Sequence, residues 1–153
     1  MKLRKTVDRI LSNTLILIMT VMVINVLWQV FTRFIMGNPS SFTDELARYL
    51  MIWLGILGAA YVSGRNMHVA IDVLPLRSSD KTQRKLKRIV YVSIIAFALF
   101  AMVIGGLRLV YITYVLNQHS PALQIPLAAV YFAIPLSGVL IIYYKITDIL
   151  SLT

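Results

Sequence analysis

The chain of 153 residues is 59% apolar, 10% aromatic and 14% charged, against roughly 45–50% apolar and about 25% charged in a soluble globular domain. A mean hydropathy of +0.80 leaves too little polar surface to clothe a water-soluble core, so the apolar excess has to face lipid or other membrane-embedded protein. The lack of cysteine excludes disulfides, iron–sulfur clusters and thiolate zinc sites, and the net charge of +9 has to be placed relative to a bilayer before it signals a partner.

Four apolar stretches, residues 10–31, 46–63, 89–111 and 127–144, are each long enough at ~1.5 Å per residue to cross a hydrocarbon core of ~30 Å. Lys2, Arg4, Lys5 and Arg9 precede the first. Its apolar run is longer than a signal-peptide core and no small-x-small cleavage site precedes Gly37, so it is expected to be retained. Asn25 and Gln29 lie one helical turn apart below Arg33, a polar stripe that should face protein rather than lipid.

Gly37-Asn38-Pro39-Ser40-Ser41 breaks the chain, and Ser41 or Thr43 can cap the second helix, with Asp44 and Glu45 beside its positive dipole end. The short turn brings Arg33 to the depth of Asp44, Glu45 and Arg48, which predicts an ion-paired hairpin between the first two spans. The alternative is that these charges reach for headgroups. Within the second span, Ala47, Gly55, Gly58 and Ala59 share one face that another helix can approach closely. Trp53 points the other way. It lies eight residues beyond Glu45, roughly 12 Å deeper by helical rise, and is expected either to pack against a partner protein or to face lipid.

Residues 64–88 form a basic loop, with Arg65, Arg77, Lys81, Arg84, Lys85, Lys87 and Arg88. Pro75 closes its first part, and Ser79-Asp80 can cap a polar turn that runs into the third span. Ser120-Pro121-Ala122-Leu123-Gln124-Ile125-Pro126, between the third and fourth spans, is too proline-rich to be helical throughout. Pro135 cannot donate to the Tyr131 carbonyl and should kink the fourth span. Ala129, Ala133 and Ser137 at spacing four offer a close-packing seam inside the bundle.

With Lys145 after the last span, 12 cationic residues fall on one side and only Arg33, Arg48 and Arg108 on the other. The positive-inside rule then puts both termini and the loop 64–88 in the cytoplasm. The expected fold is an all-α membrane bundle of four transmembrane helices, both ends inside. The basic loop is expected to meet anionic lipid headgroups, and no nucleic-acid partner is inferred.

No Asp, Glu, Lys, Arg or His falls within any of the four apolar stretches except Arg48 at the start of the second and Arg108 near the end of the third. An ion-coupled pump needs a titratable or ion-coordinating group near the midplane. The sequence also lacks a P-loop, a GxSxG turn, an HExxH pair and a glycine-rich dinucleotide turn, so no catalytic residue, metal or cofactor is inferred. His68 on the inner side and His119 on the outer side are a membrane thickness apart and cannot share one haem iron. His68 with Asp72 at i+4 reads as an interfacial hydrogen-bonded pair, because two groups do not make a metal site. A respiratory membrane anchor and a small stand-alone exporter are the alternative functions.

Phe42-Thr43-Asp44-Glu45-Leu46-Ala47-Arg48-Tyr49-Leu50, Trp53, Gly58-Ala59-Ala60, Arg65 and His68-Val69-Ala70-Ile71-Asp72 resemble the signature of the small membrane subunit of TRAP (tripartite ATP-independent periplasmic) transporters. The block Ser120 to Pro126 with Tyr131 and Pro135 is similar to that family's last loop and helix, and Arg33 stands where its first helix ends. The family often has Glu-Glu where this chain has Asp44-Glu45, which keeps the charge. The resemblance implies a non-catalytic companion, in a bacterial or archaeal inner membrane, of a large multi-helix subunit. That subunit moves an organic acid with Na⁺, and a periplasmic substrate-binding protein delivers the acid.

Overall fold

The computed structural model describes residues 2–37, 41–65 and 80–150. Helix α1 is Lys2–Phe34 and α2 is Ser41–Gly64. The third span is one continuous rod of three parts: α3 (Asp80–Phe97), a π-helical segment (Ala98–Gly105) and α4 (Gly106–Val115). The fourth comprises α5 (Leu127–Tyr131) and α6 (Ala133–Leu150). All four spans are long and apolar enough to cross a membrane. They run past the apolar stretches of the sequence because polar turns at their ends stay helical, the stretch from Asp80 to Arg88 being the longest.

Spatial neighbours do not follow chain order. Helix α1 packs on α2, α2 on α6, and α6 on α3 and the π-helical segment. The order of spans is thus first, second, fourth, third, with the fourth the most buried. Leu11, Leu57, Ala60, Ala98, Ile141 and Tyr144 form the buried core. Large apolar side chains along α1 and the third span are exposed, as required where the solvent is lipid or another membrane protein.

Two features of α6 let it sit at the centre. A Cβ on Gly138 would lie 2.8 Å from Met102 Cβ and 3.2 Å from the Ala98 carbonyl oxygen, so only glycine admits the widened π-helical turn this closely. On its other side, the fully buried Ser137 Oγ donates to the Ile56 carbonyl at 2.8 Å. Ala133 and Ser137 are fully buried, whereas Ala129 is exposed, so the expected seam holds over its last two members. The break in the fourth span comes at Phe132, between α5 and α6. Pro135 leaves the Tyr131 carbonyl without an i+4 donor, and the next bond, Leu136 N–H to Phe132 O, is long at 3.3 Å.

Candidate functional site

Chemistry-bearing side chains gather at the two ends of the bundle. Arg4, near the start of α1, and Asp148, near the end of α6, are bonded at 2.8 Å, so the start of α1 and the end of α6 lie at one end. The end of α1, the start of α2 and residues 116–126 lie at the other, the hairpin end.

At the hairpin end, Glu45 is the organising group. Its Oε2 accepts the backbone N–H groups of Ala122 at 2.9 Å and Leu123 at 2.8 Å, and its Oε1 accepts the Tyr49 hydroxyl at 2.8 Å. One carboxylate on α2 therefore fastens the loop between the third and fourth spans. That loop is shaped for the purpose. Asn117, with φ of 48°, ends α4 in the left-handed conformation, and Gln118 N–H reaches back to Thr113 O at 3.1 Å. Gln124, with φ of 55°, turns the chain again, and its N–H bonds Ser120 O at 3.1 Å. Pro121, on the exposed rim, accepts the Gln124 side-chain amide at 3.0 Å. Pro126 sits at the N-cap of α5 with extended ψ of 123°, and Tyr131 ends that helix, half-buried. His119 is exposed, its Nδ1 2.7 Å from Asn117 O.

The expected ion-paired hairpin does not form. Arg33 is exposed and lies over the Phe34 ring at 5.9 Å, while Asp44 pairs with Arg48 within α2 at 3.1 Å. At the hairpin end α1 is bonded to α2 through the buried Asn25, whose side-chain amide donates to Thr43 O at 2.7 Å. The polar stripe of α1 thus faces protein, but through an amide rather than a guanidinium. An exposed Arg33 keeps its hydration and gains little from a carboxylate at the same depth.

Trp53 is half-buried: it packs on the chain's own core and, with Thr14, lines two adjacent apolar clefts of about 420 and 320 Å³ over α2. The small-residue face on the other side of α2 is open: no atom lies within 4 Å of a Cβ built on Gly55 or Gly58, and Ala59 is exposed. Arg65 is exposed at the end of α2, over the Tyr61 ring at 5.0 Å. His68 and Asp72 lie outside the described residues. Pro135 is buried against Gly106.

At the terminal end the structure shows a cluster that sequence reasoning missed. Lys145 and Asp148, 1% and 3% exposed, form an ion pair at 3.1 Å. Lys145 Nζ also donates to Ser63 O at 2.8 Å and sits 4.9 Å from the centre of the Tyr91 ring. Arg4 binds Asp148 and the Gly64 carbonyl, and the Tyr144 hydroxyl donates to Asp8 at 2.6 Å. All four spans contribute. Hydropathy ends the fourth span at Tyr144, which turns Lys145 and Asp148 into boundary charges. The available signal was their i, i+3 spacing beyond an apolar helix, opposite Arg4 and Asp8 near the other terminus. Among the described residues no group of three or more metal-ligating side chains occurs.

Residues 6–153 match the family model described as tripartite ATP-independent periplasmic transporters, DctQ component. The chain belongs to this family. It is 30% identical over 145 residues, 95% of its length and 88% of the relative's, to a Haemophilus influenzae protein provisionally named a TRAP transporter small permease protein. It is 24% identical over 155 residues to the sialic acid TRAP transporter small permease protein SiaQ of Vibrio cholerae, covering 98% of this chain and 85% of that one. Over 102 residues it is 33% identical to the C4-dicarboxylate TRAP transporter small permease protein DctQ of Rhodobacter capsulatus, covering 65% of this chain and 44% of that one. It is a multi-pass inner-membrane permease subunit and not an enzyme. TRAP small subunits partner with large membrane subunits and periplasmic binding proteins.

Proposed function

We propose that this TRAP small subunit braces the large subunit in Na⁺-coupled, binding-protein-dependent uptake of an organic acid, such as a C4-dicarboxylate or a sialic acid, and carries neither ion nor substrate itself. The observation behind this reading is the distribution of charge. Between the terminal cluster and the Glu45 clasp the spans hold no Asp, Glu, Lys or His, and their Arg residues, Arg48 and Arg108, stand toward the hairpin end, leaving no ionised side chain at mid-depth to hold a cation or a carboxylate. Both termini are cytoplasmic, following the charge bias, and the basic loop 64–88 contacts anionic headgroups. The hairpin end then faces the periplasm, where the loop fastened by Glu45 presents a fixed surface to the loaded binding protein. The open face of α2 at Gly55, Gly58 and Ala59 is where a helix of the large subunit packs.

The test is assembly. Replacing Gly55 and Ala59 together by Trp fills that face without touching the chain's own core, and should abolish co-purification of the large subunit while the variant keeps its helical content. Undiminished co-purification would move the interface elsewhere.

A further inference from the structure

On the flank of α1 away from the apolar clefts, an open pocket of about 340 Å³ lies at the terminal end, lined by Lys5, Asp8, Arg9, Ser12, Asn13 and Arg65. Lys5, Arg9 and Asn13 recur at i, i+4 and i+8, with Ser12 beside them, so one helix face supplies two cations and two neutral hydrogen-bonding groups. The α2 terminus brings in Arg65. The single carboxylate, Asp8, already accepts the Tyr144 hydroxyl. Lys5, Arg9 and Arg65 have no ion-pair partner among the described residues. Three cations against one engaged carboxylate make an anion site, and its depth is informative. The apolar run of α1 begins at Ile10, which puts the pocket at the level where lipid phosphates lie. Continuing along the same face of α1, Ile16, Met19 and Val23 are exposed, an apolar track leading from the pocket toward the bilayer interior.

We propose that this chain holds one anionic phospholipid, its phosphate seated among Lys5, Arg9 and Arg65, its headgroup hydrogen-bonded by Ser12 and Asn13, and an acyl chain lying along Ile16, Met19 and Val23. The site is separate from the basic stretch Lys81 to Arg88 and does not depend on the pairing with the large subunit. A free phosphate would use the cations but not the apolar track.

The test uses the full chain, delipidated in a neutral detergent and titrated with phosphatidylglycerol while native mass spectrometry counts bound lipid. One phosphatidylglycerol should bind per chain, at least about tenfold more tightly than phosphatidylcholine of the same acyl length, and inorganic phosphate should not displace it. The variant Lys5→Gln/Arg9→Gln/Arg65→Gln should lose this preference. Lys85→Gln/Arg88→Gln should keep it, and so should the charge-conserving Lys5→Arg/Arg9→Lys. Equal affinity for the two lipids, displacement by inorganic phosphate, or loss in either of the last two variants would overturn the proposal. Because the three side chains are exposed, the single variant Arg9→Gln, with a partial loss expected, gives a second reading if the triple variant does not fold.

Discussion

Glu45 has one acceptor oxygen for two backbone donors and another for a phenol, and an alanine there removes both acceptors. Glu45→Ala should therefore release the 116–126 loop. Hydrogen exchange at the Ala122 and Leu123 amides should accelerate while amides near Ser63, at the far end of α2, keep their rates; unchanged exchange at 122 and 123 would show that the clasp does not hold the loop. The sequence singles Glu45 out, through its place at a helix start beside other charges, but not its partners. Those are backbone N–H groups more than seventy residues away, and a backbone donor leaves no mark in a sequence. Arg33 failed for the complementary reason: equal depth was the whole argument for its ion pair. At the terminal end, Lys145→Met would remove one ion-pair partner of the buried Asp148 carboxylate and leave the bond from Arg4 in place. Leaving a buried charge uncompensated costs about 3–5 kcal/mol, and with Arg4 still bonded to Asp148 the loss should fall below that. Thermal melting in detergent should show that loss, and the double variant Lys145→Met/Asp148→Leu should melt higher than the single. Additive losses would mean the two residues act independently.

At the scale of whole helices, the glycines of α2 and α6 separate what packs internally from what is left open. Gly138→Ala drives a methyl into Met102, Val103 and the Ala98 carbonyl, an overpacking of about 1–3 kcal/mol, and should lower the melting temperature of the isolated chain. Gly55→Ala meets nothing within 4 Å and should leave it unchanged or slightly raised, since alanine is the better helix former. Reversed effects would mean that α2 and α6 have exchanged roles. Helix positions were legible because four runs of apolar residues have no soluble solution, and the break near Pro135 follows from one missing N–H. The π-helical segment was not legible. An α-helix and a π-helix share an apolar composition, and what sets this one apart is the fit against Gly138, a contact between spans. The contact of Trp53 with the chain's own core was not legible for a similar reason: which side of α2 carries the other spans depends on the neighbour order.

For the molecule as a whole, the order first, second, fourth, third leaves both outer spans with wide exposed apolar faces, the form of a piece made to be packed against something else. Orientation is open to a direct check because the chain has no cysteine of its own. Gln118→Cys should react with a membrane-impermeant maleimide added outside intact cells, and Arg84→Cys only after lysis; the reverse pattern would invert the proposed topology. The claim on which the account turns is that this subunit supports transport and performs none. Its most direct measurement is solute uptake into sealed vesicles under a Na⁺ gradient, with the binding protein present, comparing this chain alone with this chain plus its large subunit. Accumulation is expected only when the large subunit is present. Uptake by this chain alone, above that of empty vesicles, would contradict the account.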